Sequence, residues 1–351
     1  MKITWLTTWK DIQDESFLKE WNDLLGGWSC PHVFFTQPLC KAWLDTYRPI
    51  RNLLPRFLLL EDGESKLLWP LVLWRQNWRN AFRRMLVAVG HSDYDYAEPI
   101  VIGNRNSLVS IAIDAIQDHA EEWDAVAIHG LTQVISNARQ EVDYCPFCKL
   151  GSYIDGEDFL KKAKKSLRED VRRQRKRLGE QGDMSLVEAP LPLALQELSV
   201  FLQEHHAHWP KAYKAPNFHE NLLKTGLPTG LVRFDILRVN EISVAWHLGF
   251  HWKGRFYYYM PAANREWLAF SPNKLLLFEL LGRSITEKDE IFDHLRGAEN
   301  YKRGWTNDIL NLWKINVVNT QSFGAIIRNG LYECRDALMR FLQKNRGGYS
   351  M

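Results

Sequence analysis

Four residues within ten positions carry the densest chemistry in this chain: Asp293, Glu299, Tyr301 and Lys302, in the run IFDHLRGAENYKRGW. Two carboxylates, a phenol and an amine this close together offer a proton acceptor, a weak acid and a cation to one reacting centre. Just upstream, Ser271, Pro272, Asn273 and Lys274 precede the apolar run LLLFELLGRSI. Serine is a favoured N-cap and proline suits the first helical position, so the spacing predicts a sharply begun helix over 275–285. Its open amides, its dipole and Lys274 would make an anion seat. His247 is a candidate general base, its ordinary pKa of about 6.5 being suited to that task. From Lys161 to Arg177 there are ten basic residues, among which Arg168 and Arg172 are candidate phosphate contacts. No aromatic residues alternate with these arginines, which argues against readout of single-stranded nucleic acid.

The elements that must position these groups follow from periodicity. Over 241–250, Ile242, Val244, Trp246, Leu248 and Phe250 alternate with Ser243, Ala245, His247 and Gly249. That is a strand with one bulky face and one small face, and His247 lies on the face with room for a ligand. A second strand over 255–260 places Tyr257 and Tyr259 on one side as candidate cleft groups. A short strand over 290–295, a turn at Arg296-Gly297 and a short helix over 298–305 put the Asp293–Lys302 group at a strand exit beside a helix start, a common ligand position in layered α/β folds. The basic segment reads as one amphipathic helix over 157–181, about 37 Å long at 1.5 Å per residue. The first half alternates strands (3–9, 56–61, 66–74, 84–90, 125–129) with helices (14–25, 39–47, 107–120), and Asp62-Gly63 marks a hairpin. Residues 91–99, rich in carboxylates and tyrosines, are either a cleft wall or a solvated connector. A last strand over 307–318 and a helix over 322–343 end the chain. An α+β layer with a mostly antiparallel sheet fits this order.

With 351 residues the chain is long enough for two domains, expected over 1–152 and 183–351 with a basic linking helix over 153–182. Apolar residues make up 46% and charged residues 25%, the balance of a folded globular protein. A net charge of +3 is too small for a dedicated nucleic-acid binder. The longest uncharged run, 24–40, is broken by two glycines and two prolines, so no membrane span is expected. The charged N-terminus lacks a signal-peptide core, which gives a cytoplasmic reading. Five scattered cysteines make no disulfide framework. Cys145 and Cys148 in CPFC read as inert thiols in a connector, and His205, His206 and His208 lack a completing carboxylate, so no metal is expected.

The order SPNKLLL, IFDHLRG, ENYKRGW resembles the GNAT-type N-acyltransferases of the cellulose-biosynthesis class, as does the basic helix FLKKAKKSLREDVRRQRKRLGEQG. That class is similar to the Fem-type aminoacyl transferases. The resemblance implies an α+β fold of two tandem GNAT-like domains, with mixed, mostly antiparallel sheets flanked by helices. It further implies acyl transfer from acetyl-CoA or another acyl-CoA, used as co-substrate with no tightly bound cofactor, to an amine or hydroxyl of a small-molecule or glycan-precursor acceptor. Ser271, Pro272, Asn273 and Lys274 match the coenzyme A position, although Asn273 stands where the family has glycine. Asp293, Glu299 or His247 would accept the acceptor proton, Lys302 would steady the oxyanion, and Tyr301 would protonate the leaving thiolate. Two alternatives accompany this reading: a transferase drawing its aminoacyl group from tRNA, and a non-catalytic GNAT-like binding module.

Overall fold

The computed structural model describes residues 1–29, 31–135, 138–210 and 215–346. By packing, the chain forms two compact units, one of Met1–Gln37, Tyr47–Gln140 and Trp313–Met351, the other of Pro38–Thr46 and Glu141–Leu312. These units do not follow the ranges 1–152, 153–182 and 183–351. From Trp313 to Val318 the last strand pairs with Ala125–Leu131, which carries the C-terminal segment into the first unit.

In the first unit, Lys2–Leu6, Phe57–Asp62, Ser65–Trp69 and Ile100–Ile102 form an antiparallel sheet. Gly63, at φ 62°, makes the Asp-Gly hairpin turn. The strand expected over 66–74 is two strands, Ser65–Trp69 and Leu71–Arg75, parted at Pro70, which has no N–H to give a ladder. Leu71–Arg75 joins a second group with Asn52–Pro55, Arg84–Ala88 and Ala125–Leu131, in which only the last two strands run parallel. Asp124, fully buried, ties this group to the C-terminal helix Phe323–Arg346. Burial works to raise its pKa, but hydrogen bonds from Arg328 and Arg84 bring it down to about 2. Residues 91–99 are no solvated connector: Asp93, Tyr94, Tyr96 and Glu98 are buried, and Arg105 holds Glu98 at 2.7 Å.

In the second unit six strands lie in the order Met184–Glu188, Val232–Val239, Ile242–Trp252, Arg255–Ala263, Ile291–Asp293 and Arg139–Lys149. Every pair is antiparallel except Arg255–Ala263 with Ile291–Asp293. The CPFC cysteines are buried in the strand Arg139–Lys149, with Cys148 paired to Phe292, and do not sit in a connector. The helix Pro272–Thr286, apolar for most of its length, covers the face carrying Asp235 and His247, and Arg283 reaches Asp235 from it. The helix Leu191–His208 covers the other face, with Phe201 edge-on to Phe234. Both faces are therefore closed, and the strand is buried from Val244 to Phe250, so the expected open face is absent. Gly249 marks a register shift; a Cβ there would lie 2.1 Å from the His247 ring and 2.6 Å from the Tyr257 carbonyl.

The basic segment is two helices, Gly156–Lys162 and Lys165–Gly179, with extended backbone at Ala163 and Lys164. Lys161, Lys162, Lys164 and Lys165 would repel one another at spacings of three and four in a continuous helix, and the break relieves this.

Candidate active site

The two parallel strands pair at Arg255–Ile291, Phe256–Phe292 and Tyr257–Asp293, and there the pairing stops. The first strand runs on to Ala263, while the chain after Asp293 turns at Leu295 and Gly297, where φ is 56° and 133°. A cavity of about 780 Å³ fills the opening, with Tyr258 on one side and Tyr301 and Trp305 on the other. That volume suits a small-molecule ligand.

The first turn of the helix Pro272–Thr286 forms another wall. Ser271 does not cap it as expected. Its backbone is left-handed (φ 52°, ψ 51°) because it also ends the preceding turn, Arg265–Phe270, and its side chain makes no capping bond. The N–H groups of Lys274 and Leu275 turn back to the Ser271 carbonyl, at 3.0 and 3.4 Å, and Pro272 has no N–H. The Asn273 amide is thus what the first turn has left for a ligand. Asn273 Oδ1 is buried with no hydrogen-bond partner among the described residues. Lys274 is ion-paired with Asp170, which also holds Arg173. The Lys274 hydrogen bond keeps the Asp170 carboxyl below its usual range.

Tyr258 and Tyr301 are the phenols among the lining residues. Burial raises both phenol pKa values, that of Tyr258 further through Tyr301 and that of Tyr301 further through Glu299. Both stay protonated at neutral pH and act as hydrogen-bond donors. The Tyr258 ring is fixed by stacking on His247, with centroids 4.6 Å apart.

Of the residues expected at the site, the lining thus contains Ser271, Pro272, Asn273, Lys274 and Tyr301. The others lie outside it. Asp293 is buried and accepts the Leu295 N–H at 2.8 Å, bracing the turn. Lys302 is buried, donates to the Arg296 carbonyl at 2.8 Å and pairs with Glu299 at 3.0 Å. His247 accepts the Tyr259 N–H on Nε2 at 3.2 Å, which leaves Nδ1 to face Asp235 at 3.4 Å. Burial lowers its pKa against the pull of Asp235, so it is neutral. Tyr259 stands against Phe250, and Tyr257, two residues before it, shares that face and is fully buried; the cavity lies on the Tyr258 side. Arg168 donates to the Lys161 carbonyl and Arg172 pairs with Glu157.

Sequence reasoning assigned no role to Tyr258 or Trp209, and to Arg173 only an RNA contact under the tRNA-dependent alternative; all three also line the cavity. Arg173 shares a helix side with Ser166 and Asp170, a signal present in the spacing. Tyr258 gave none, because aromatic residues occupy both faces of its strand. Below Tyr258 lies His294, buried, with Nε2 3.6 Å from Cys148 Sγ and Nδ1 lacking a partner among the described residues. Burial takes its pKa down to about 3 and pushes the Cys148 thiol up to about 12.

The fold is α+β in two compact units, with mixed, mostly antiparallel sheets flanked by helices, and the unit that holds the cavity is GNAT-like. Residues 165–303, which hold the whole cavity apart from its flanks, match the family model of an acetyltransferase (GNAT) domain. Among solved structures the chain is similar to FemX (TM-score 0.62, 10% identity, 93% of this chain and 100% of that one). It is also similar to the C-terminal domain of a putative lysylphosphatidylglycerol synthetase from Agrobacterium fabrum (TM-score 0.56, 11% identity, 92% and 94%). A third is L-PGS from Bacillus licheniformis (TM-score 0.54, 12% identity, 92% and 97%). No curated protein matches the sequence. At such identities the likeness is one of fold.

Proposed function

We propose that this protein is a cytoplasmic acyltransferase that moves an acyl group, in the first instance acetyl, from coenzyme A to an amine or hydroxyl of a sugar, amino sugar or cell-envelope precursor. The observation that carries the reading is the cavity opened by the parting strands, closed at one side by the first turn of Pro272–Thr286. The acceptor class rests on the resemblance of 158–180 and 271–305 to the cellulose-biosynthesis transferases.

The residues present suit coenzyme A in a particular way. Phosphate would meet the Asn273 amide and Lys274, with Lys274 exchanging Asp170 for the ligand. The orphaned Asn273 Oδ1 asks for a donor, and the amide N–H groups of a pantetheine arm supply one. The acceptor nitrogen or oxygen attacks the thioester carbonyl, the C–S bond breaks with its electron pair leaving on sulfur, and the acceptor's proton passes to solvent or to the thiolate. Positioning provides most of the acceleration. Tyr258 and Tyr301, with pKa values raised above the usual phenol range, hold their protons more tightly than an ordinary phenol as the thiolate leaves. Their part is to donate hydrogen bonds to the developing oxyanion.

The tRNA-dependent alternative finds less support. Arg172 and Arg175 are turned to Glu157, and Arg173 to Asp170, so three of the arginines an RNA backbone would need are already engaged within the chain. A thermal-shift series with acetyl-CoA, coenzyme A and charged tRNA tests the choice. Stabilisation by the coenzyme A species, lost in Lys274→Ala, is expected. Stabilisation by charged tRNA alone, lost when Arg172, Arg173 and Arg175 become Ala, would replace this reading with the Fem-type one. Affinity for a polysaccharide precursor with neither donor bound would indicate a binding module.

A further inference from the structure

The C-terminal helix Phe323–Arg346 meets its own unit through a polar side. Asn329 donates to the Asp124 carbonyl at 2.8 Å, Arg328 holds the Asp124 carboxylate, and Arg83 lies over the Tyr332 ring at 3.7 Å. Ala325, one turn earlier, is fully buried on the same side. At 3.6 residues per turn the opposite side carries Ile327, Leu331, Cys334, Leu338 and Phe341. All five are exposed, Leu331 by 58% and Phe341 by 61%. A surface helix ordinarily turns its apolar stripe to the core; here it points away.

We propose that this stripe is a homodimer seam that packs against the same stripe of a second copy of the chain. Its spacing of four, three, four and three residues is the heptad rhythm that lets side chains of one helix enter the gaps of another, and it fits a helix better than a flat surface. It is also nearly symmetric about Cys334, with Ile327 seven residues before, Phe341 seven after, and Leu331 and Leu338 between. A two-fold pairing needs a self-complementary patch, and this one aligns with itself in either chain direction. The charged residues of the same span, Arg328, Glu333, Arg335, Asp336 and Arg340, lie off the seam, so none must be desolvated. Phe323 and Leu342 are exposed beside it. Phe323 and Phe341, 78% and 61% exposed, have most of the roughly 150–250 Å² of an aromatic side chain still to cover, and with the aliphatic side chains of the stripe they approach the roughly 800 Å² per partner of a stable interface.

Because Cys334 sits at the centre, the pairing brings it against its own copy. Cys40, Cys145 and Cys148 are buried and do not compete for such a contact. Analytical ultracentrifugation of the full chain is expected to give twice the monomer mass, and Leu331→Asp combined with Leu338→Asp to give the monomer with an unchanged circular dichroism spectrum. Diamide, which takes up the two thiol hydrogens, should link the wild type into a disulfide dimer and leave Cys334→Ser unlinked. A wild-type monomer at the highest soluble concentration overturns the proposal, as does a dimer that survives the double substitution. So does a monomer that sediments with phosphatidylcholine–phosphatidylglycerol vesicles through the same residues, which would make the stripe a lipid-facing surface.

Discussion

The two ends of the helix Pro272–Thr286 are built to different standards. Near its C-terminal end, Arg283 reaches Asp235 at 2.7 Å, Asp235 faces His247, Arg233 holds Glu287 at 2.8 Å, and His251 meets Asp289 at 2.8 Å. At its N-terminal end Asp170, shared by Lys274 and Arg173, stands at the edge of a cavity, beside an Asn273 oxygen with no partner among the described residues. Unpartnered buried atoms occur at both ends among the described residues, Arg283 Nε and Nη2, Ser284 Oγ and Asp289 Oδ2 at one and Asn273 Oδ1 at the other. What separates the ends is that the first group is held by several ion pairs while Asn273 borders a cavity. Under-used groups beside open volume are where a ligand can add bonds without breaking many. The difference teaches that residue type alone misplaces function: His247, chemically the most inviting side chain of the sheet, belongs to the tied end.

The largest effect should come from cutting that end. Arg283→Ala leaves Asp235, fully buried, facing only a neutral histidine. Removing one partner of a buried pair costs about 3–5 kcal/mol, and urea unfolding should show a loss of that order. A loss below about 1 kcal/mol would mean that the end is not locked, and the contrast would fail.

How much of this was legible in the sequence follows from the physical range of each signal. Alternation and capping residues found the strands around 242–263 and the helix after Pro272, because those patterns are local. The same patterns gave His247 an open face, since alternation records only which side chains are small. It took a helix from elsewhere in the chain to show that the small face is covered. Ser271 looked like a cap because its type and the following Pro272 are right, yet the preceding turn ends on it and sets its backbone left-handed. The grouping of Asp293, Glu299 and Lys302 was seen, but the turn at Leu295 and Gly297 that directs all three into bracing it depends on two positive φ angles invisible to spacing. Tyr301 and the Ser271–Lys274 turn were located from short-range order and do line the cavity.

The open end carries a cost that pH can expose. His294, under Tyr258, has a pKa near 3 when folded and about 6.5 when unfolded. Between those values the unfolded chain binds a proton that the native chain does not, so stability falls as pH drops below about 6.5, by up to about 1.4 kcal/mol per pH unit. His247, also lowered by burial, adds a loss of the same sign. Comparing wild type with His294→Gln isolates the first: unfolding at pH 7 and pH 5 should show the wild type losing about 1–2 kcal/mol more than the variant. Equal losses would mean that His294 finds a partner for its second nitrogen and that the open end is as satisfied as the closed one.

The smallest effect concerns the ion pair at the mouth of the cavity. Asp170 is an anion already placed at the first turn of the helix, where dipole and Lys274 favour one, so a phosphate must displace it. The Lys274 and Asp170 side chains are 32% and 24% exposed, at the rim rather than in the core, and such a pair is worth about 0.2–1 kcal/mol. Asp170→Asn should free Lys274 and tighten coenzyme A binding by about 1.5- to 5-fold at low salt, with the gain fading as salt screens the phosphate charge. Calorimetric titration in two salt concentrations reads both. Weaker binding in Asp170→Asn would show the opposite role, a carboxylate that holds Lys274 in the pose the ligand needs, and the N-terminal end would then be prearranged in the way its other end is.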